Sequence, residues 1–154
     1  MKKLFISIFI FLFLTTACGF KVAQIENKYN IVEINTTGNT KINYLIRNRL
    51  LSNSNKNSNN LVTIDINTKL VKSIKDKDLQ NEITKFEIKI TSNVKYSNIN
   101  NDFLKRFDIS KVGYYNVAGR FSATRENENK LINKLVDELI DDTARNISVG
   151  TNDL

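Results

Sequence analysis

The stretch TKFEIKITSNVKY, residues 84–96, decides the fold. In it Phe86, Ile88, Ile90, Val94 and Tyr96 alternate with Lys85, Glu87, Lys89, Asn93 and Lys95. Successive side chains of a strand point to opposite faces, so this period of two makes one face apolar and the other wet. The same pattern stands upstream in LVTIDINTKL, residues 61–70, where Val62, Ile64, Ile66 and Leu70 alternate with Thr63, Asp65, Asn67 and Lys69. Between the two lies KSIKDKDLQNE, residues 72–82, whose polar, charged composition predicts a hairpin with a long loop. Beyond a turn at residues 98–102, FLKRFDISKVGYYNV (103–117) predicts a further strand with less tidy alternation. Phe103, Phe107 and Ile109 favour one face and Val112 and Tyr114 the other, which predicts a bulge or strand end near Gly113.

Three half-apolar strands need a cover, and two segments offer one. Leu131, Ile132, Leu135, Val136, Leu139, Ile140, Ala144 and Ile147 form a continuous helical stripe on a polar background. That helix starts between Phe121 and Arg125, with Ser122 or Thr124 as candidate caps. Ahead of the hairpin, Ile42, Leu45, Ile46 and Leu50 mark one face of a shorter helix, with Asn39 or Thr40 as its cap. The β-branched segment Tyr29–Asn35 predicts a first strand, closed by the turn cluster Thr36–Asn39. The Asn- and Ser-rich stretch at residues 52–60 reads as a flexible loop. The order β-α-β-β-β-α therefore predicts an α+β two-layer sandwich, a four-stranded sheet with two helices on one face. Its other face would display Lys69, Lys75, Lys85, Lys89, Lys95 and Arg106, with Asp65, Glu87 and Asp108 among them. Such a face is either simply solvated or a surface for an anionic ligand or another protein.

The start of the chain has a different character. Lys2 and Lys3 precede an apolar run from Leu4 to Leu14, interrupted only by Ser7, that stops just before Cys18. A membrane-spanning helix needs roughly 20 such residues, so this shorter run reads as a secretory signal with a small residue, Ala17, at its cleavage position. Thr15-Thr16-Ala17-Cys18 resembles a bacterial lipobox, although Thr15 stands where Leu is preferred. That resemblance implies cleavage between Ala17 and Cys18 and acylation of Cys18. Gly19 after the cysteine implies passage to the outer membrane. The expected organisation is a signal peptide at 1–17, a lipidated tether at 18–28, one domain at 29–149 and a tail at 150–154. The competing readings of the start are a plain secretory signal and an uncleaved anchor.

Composition narrows the chemistry. Among 154 residues there is one cysteine and no histidine, proline or tryptophan. The chain therefore lacks a Ser-His-Asp triad, a Cys-His pair, an internal disulfide and a zinc site with the usual nitrogen and sulfur ligands. It also carries no GxGxxG, P-loop or EF-hand pattern. Asp141 and Asp142 are adjacent, and neighbouring helical side chains diverge by about 100° rather than converging on one substrate. No enzyme activity, metal or cofactor is expected. The formal charge of +7, from 23 basic and 16 acidic residues, invites an anionic partner, though abundant Asn, Ile and Lys suit an A+T-rich genome and weaken that argument.

Three places in the chain resemble the LPS-assembly lipoprotein LptE family. Cys18-Gly19-Phe20 is similar to the family's usual start. Leu45, Arg47, Asn48, Arg49 and Leu50 are similar to its first helix. Tyr115-Asn116-Val117, followed by Phe121, Ser122, Ala123 and Glu126, resembles the entry to its long helix. The likeness spans about residues 18–148, and Lys21-Val22-Ala23 departs from the Pro or Arg common in that stretch. It implies an outer-membrane lipoprotein that plugs the LptD β-barrel, with its domain on the periplasmic side and in the barrel lumen. It further implies help in lipopolysaccharide transport and insertion, and no nucleic-acid partner. On that basis Lys72, Lys75, Lys77, Lys85 and Arg106 are the candidate lipopolysaccharide contacts. The alternatives are a periplasmic auxiliary lipoprotein of an ABC-type lipid transporter, a peptidoglycan-binding lipoprotein and a carboxylate-only hydrolase.

Overall fold

The computed structural model describes residues 29–99 and 103–152. The order is β1 (Asn30–Gly38), α1 (Thr40–Ser52), β2 (Leu61–Lys77), β3 (Ile83–Asn98), β4 (Phe103–Asn116) and α2 (Phe121–Asn152). The four strands form one mixed sheet in the order β1-β2-β3-β4. β1 runs parallel to β2, and the other neighbours are antiparallel. A parallel pair cannot be closed by a tight turn, and α1 is the crossover that joins it. The fold is the predicted α+β sheet with two helices.

Period two on the strands and the helical stripes meet in one core. Val62, Ile64, Ile66, Ile88, Ile90, Val94 and Tyr96 point from the sheet into Ile42, Ile46 and Leu50 of α1. Ile132, Leu135, Val136, Leu139, Ile140 and Ile147 of α2 complete it. Each fully buried aliphatic side chain contributes roughly 1.5–3 kcal/mol relative to exposure. These positions hold the two layers together.

The corner between β1 and α1 is closed by polar groups. Gly38 has φ +97°, and a Cβ there would collide with the Thr68 carbonyl, so the chain turns where only glycine fits. Asn39 then caps α1, its Oδ1 accepting from the Ile42 amide at 3.1 Å, while its own amide donates to the Thr68 carbonyl at 3.1 Å. Thr68 Oγ1 donates to Asn43 Oδ1 at 2.6 Å inside the core. Both buried side chains are thereby satisfied.

Four expectations change. The long loop predicted at residues 72–82 is mostly strand: β2 continues to Lys77, and only Asp78–Glu82 form the turn. Asp78 Oδ1 accepts the Gln80 and Glu82 amides at 3.0 and 2.8 Å, and Asn81 has φ 67°. Ladder hydrogen bonds are backbone bonds, so polar side chains with nothing to bury still pair. No bulge occurs at Gly113, because the β3–β4 register is unbroken from Lys85↔Asn116 to Asn98↔Phe103. Gly113 instead faces α2, where a Cβ would lie 2.6 Å from Leu131 Cδ1, a close approach of backbone to helix. Thr124 is not the cap of α2 but lies in its first turn, its hydroxyl accepting from the Ala118 amide at 2.9 Å. The helix also runs past residue 149 to Asn152. Ala17, Cys18, the signal peptide and the tether lie outside the described residues.

Candidate functional site

The helices cover one side of the sheet, and the other side is open. Cross-strand pairing arranges its side chains in rows. Asn35, Asp65, Lys95 and Arg106 form one row, and Thr37, Asn67, Asn93 and Asp108 the next. Asn35 donates to Asp65 at 3.2 Å and Asn93 to Asp108 at 2.5 Å. Further along come Val71, Lys89 and Val112, then Ser73, Glu87 and Tyr114. Val71, Val112 and Tyr114 remain 43%, 45% and 50% exposed. They make an apolar island beside Lys75 and Lys89, with the Lys75 amine 5.3 Å from the Tyr114 ring centre. Exposed apolar groups gathered on an uncovered sheet are a docking feature in a way that scattered ones are not.

This face is mixed in charge rather than uniformly basic. Glu33, Asp65, Asp76, Glu87 and Asp108 stand among the six cations. Lys85 pairs with Asp76 at 3.0 Å, both about half exposed. Lys69, Lys89, Lys95 and Arg106 make no ion pair among the described residues. Such a surface suits another protein's polar wall at least as well as a cluster of phosphates.

The five candidate contacts do not converge. Lys75 and Lys85 share the distal end of the open face, and Lys77 sits at the turn, donating to Asn81 Oδ1 at 2.9 Å. Arg106 stands opposite Lys95, ten residues along β3 from Lys85, or about 33 Å at the rise of a strand. No single headgroup bridges that span. Lys72 faces the helices: its amine donates to Glu128 Oε2 at 2.7 Å and lies 4.4 Å above the Phe86 ring. The Tyr115 hydroxyl donates to the same Glu128 oxygen at 3.0 Å, and its ring stacks on Phe86 at 5.5 Å.

This four-residue clamp, which sequence reasoning missed, fixes the base of the hairpin to the start of α2. Burial alone would raise the Glu128 carboxyl, but hydrogen bonds from Lys72 and Tyr115, with the charges of Lys72 and Lys41, outweigh it and hold the group below its ordinary 4.5. Desolvation would lower Lys72, but Glu128 and Tyr115 keep its amine above 10.5. The available signal was Lys72 itself, a cation at an inward-facing even position of β2.

Beside the clamp lies a groove of about 750 Å³ between the starts of both helices and the β2–β3 hairpin. Ile42, Leu70, Phe86 and Ile132 form its floor, and Lys41 and Arg125 stand on its rim. On α2, Asp142 pairs with Lys111 at 2.6 Å. Among the described residues, no group of three or more His, Cys, Asp or Glu is placed to hold a metal ion, and no helix is long and apolar enough to cross a membrane.

Solved structures share this architecture. The fold is one found in bacterial lipoproteins. Rare lipoprotein B from Shewanella oneidensis superposes with a TM-score of 0.60 at 12% identity, over 79% of this chain and 97% of that one. Lipoprotein B from Nitrosomonas europaea gives 0.60 at 14% identity, over 87% and 93%. A minor lipoprotein from Acinetobacter baumannii gives 0.54 at 13%, over 77% and 94%. Neither a protein-family model nor a curated protein sequence matches the chain. Identities this low establish likeness of fold alone, and the span of nearly the whole of each neighbour makes that likeness one of complete domains.

Proposed function

We propose that the chain is an LptE-like outer-membrane lipoprotein. In this reading it sits in the lumen of an LptD-like β-barrel as plug and assembly partner, and assists the passage of lipopolysaccharide to the outer leaflet. The observation that carries it is the fold shared with lipoproteins over nearly their full length, joined to a sole cysteine at the end of a short apolar run. Acyl chains on Cys18 would hold the domain at a membrane, since each buried methylene contributes about 0.8 kcal/mol.

The geometry suits a plug. Helices seal one side of the sheet, so the domain keeps its core when the other side meets a wall. The open face offers Val71, Val112 and Tyr114 as apolar contacts among Lys75, Lys89 and a ladder of Asn, Thr and Asp side chains. Lipopolysaccharide phosphates would meet the distal lysines, Lys75, Lys77 and Lys85, with Lys89 beside them. Lys72 serves the fold through Glu128, and Arg106 lies too far along the sheet to join that cluster.

The test is a detergent pull-down of the tagged full-length protein from envelope membranes, with mass spectrometry of what copurifies. A stoichiometric large outer-membrane β-barrel is expected. An inner-membrane ATPase complex would replace this reading with that of a transporter auxiliary lipoprotein. For the ligand, Lys75→Glu with Lys77→Glu should weaken lipopolysaccharide binding, and unchanged binding would remove those lysines from the site.

A further inference from the structure

A plug held through its open sheet face makes no use of the groove on the opposite side, between the starts of the two helices. We propose that this groove binds one long acyl chain ending in a carboxylate, the chain lying on the apolar floor and the head meeting Lys41 and Arg125.

Size points to one chain. A cavity of about 150 Å³ accommodates the six carbons of benzene, so sixteen carbons need roughly 400 Å³ on the same scale. The groove's 750 Å³ therefore has room for one such chain with its head. It falls in the roughly 300–1,000 Å³ range of small-molecule sites. The walls are of the right kind: Ile42 and Ile132 are buried beneath it, and Phe121 at its lip is 81% exposed. A large aromatic side chain left in water at the edge of an apolar groove is a hydrophobic contact awaiting an occupant.

Charge points to an anionic head. Among the described residues Glu128 is the only carboxylate lining the groove; Lys72 and Tyr115 hydrogen-bond it, and the charge of Lys41 also acts on it. The Lys41 amine has a neutral amide partner, Asn129 Oδ1 at 2.9 Å, and Arg125 has no hydrogen bond or ion pair among the described residues. Both cations stand near helix N-termini, where the helix dipole favours carboxylates instead, and neither first turn contains an acidic residue. Local preference is thus set aside at both positions in favour of one positive mouth, the kind of local conflict expected at a binding site. A carboxylate there would gain charge-assisted hydrogen bonds from both side chains.

The proposal is tested with the mature, lipidated full chain in phosphatidylcholine nanodiscs, probed with a photoreactive diazirine derivative of palmitate. Saturable labelling of peptides containing Phe86 and Phe121 is expected, with competition by palmitate and not by hexadecanol. Lys41→Glu with Arg125→Glu, both exposed and outside the core, should weaken labelling by about tenfold or more, the loss expected for a charge-assisted contact. Phe121→Asp should weaken it independently, and Lys130→Glu, on the same helix but outside the groove, should leave it unchanged. Labelling that hexadecanol competes equally well, or that survives the double substitution, would overturn the proposal. So would protection of the groove by an acidic apolar peptide with no palmitate labelling, which would assign it to a protein partner.

Discussion

The two halves of β2 have the same backbone and opposite fates. From Val62 to Leu70 every second side chain is wholly or largely buried under the helices, whereas from Val71 to Lys77 every residue is exposed. Ile74 keeps the inward phase and is still 51% exposed, because no helix lies over it. Alternation therefore marks which way a side chain points, and burial depends on what stands opposite. The proximal half is held by hydrophobic packing. The distal half is held by strand pairing and by the Lys72–Glu128–Tyr115–Phe86 clamp.

The contrast is sharpest in the core. Leu139→Ala should cost about 2–5 kcal/mol, the range for emptying a buried aliphatic site, while Ile74→Ala should stay within about 0.5 kcal/mol. Denaturant titration of both variants checks this, and equal losses would mean that the hairpin has a core of its own. Gly113→Val comes next, because it drives side-chain atoms into Leu131 and Leu135. A loss of about 1–3 kcal/mol is expected from that overpacking.

Tyr115→Phe is the sharper probe of the clamp. Removing its hydroxyl takes one hydrogen bond from Glu128, worth about 0.5–1.5 kcal/mol. Amide exchange should quicken in residues 71–77 while that of β2 at residues 62–68 is unchanged; uniform quickening would deny the clamp a local role. Acidity gives the smallest effect. A carboxyl held below 4.5 in the folded chain contributes stability at higher pH and loses it as pH falls through its folded value. Lys72, held above 10.5, contributes below that pH and loses its part above it. Hairpin protection factors, corrected for the intrinsic pH dependence of amide exchange, should therefore fall below about pH 4.5 and be flat across neutral pH, and Glu128→Gln should remove that acid step.

These differences explain what could be read from the residues. β2, β3 and both helices were legible because their apolar positions meet a cover, so period and burial coincide. The hairpin beyond Val71 reads as a loop because its lysines and aspartates have nothing to bury, although backbone pairing needs no apolar side chain. Gly113 is ambiguous in sequence for a related reason: a missing Cβ looks alike whether it permits a bulge or a helix's close approach. The open face was legible residue by residue, since alternation places Lys85, Lys89, Lys95 and Arg106 together on one side, and Lys75 joins them at the register shift after Ile74. Their spacing along the sheet was not, because it depends on the register between three strands. Lys41 and Arg125, 84 positions apart, come together only through the packing of α1 against α2.

The central claim is that the open face meets a barrel. A photocrosslinking amino acid placed at Val71 or Val112, both exposed on that face, tests it in the living envelope, with Tyr44 on the outer side of α1 as the control. The account predicts an adduct with a large outer-membrane β-barrel from Val71 and Val112, stronger than from Tyr44. Adducts with an inner-membrane transport complex, or none from the open face, would contradict it.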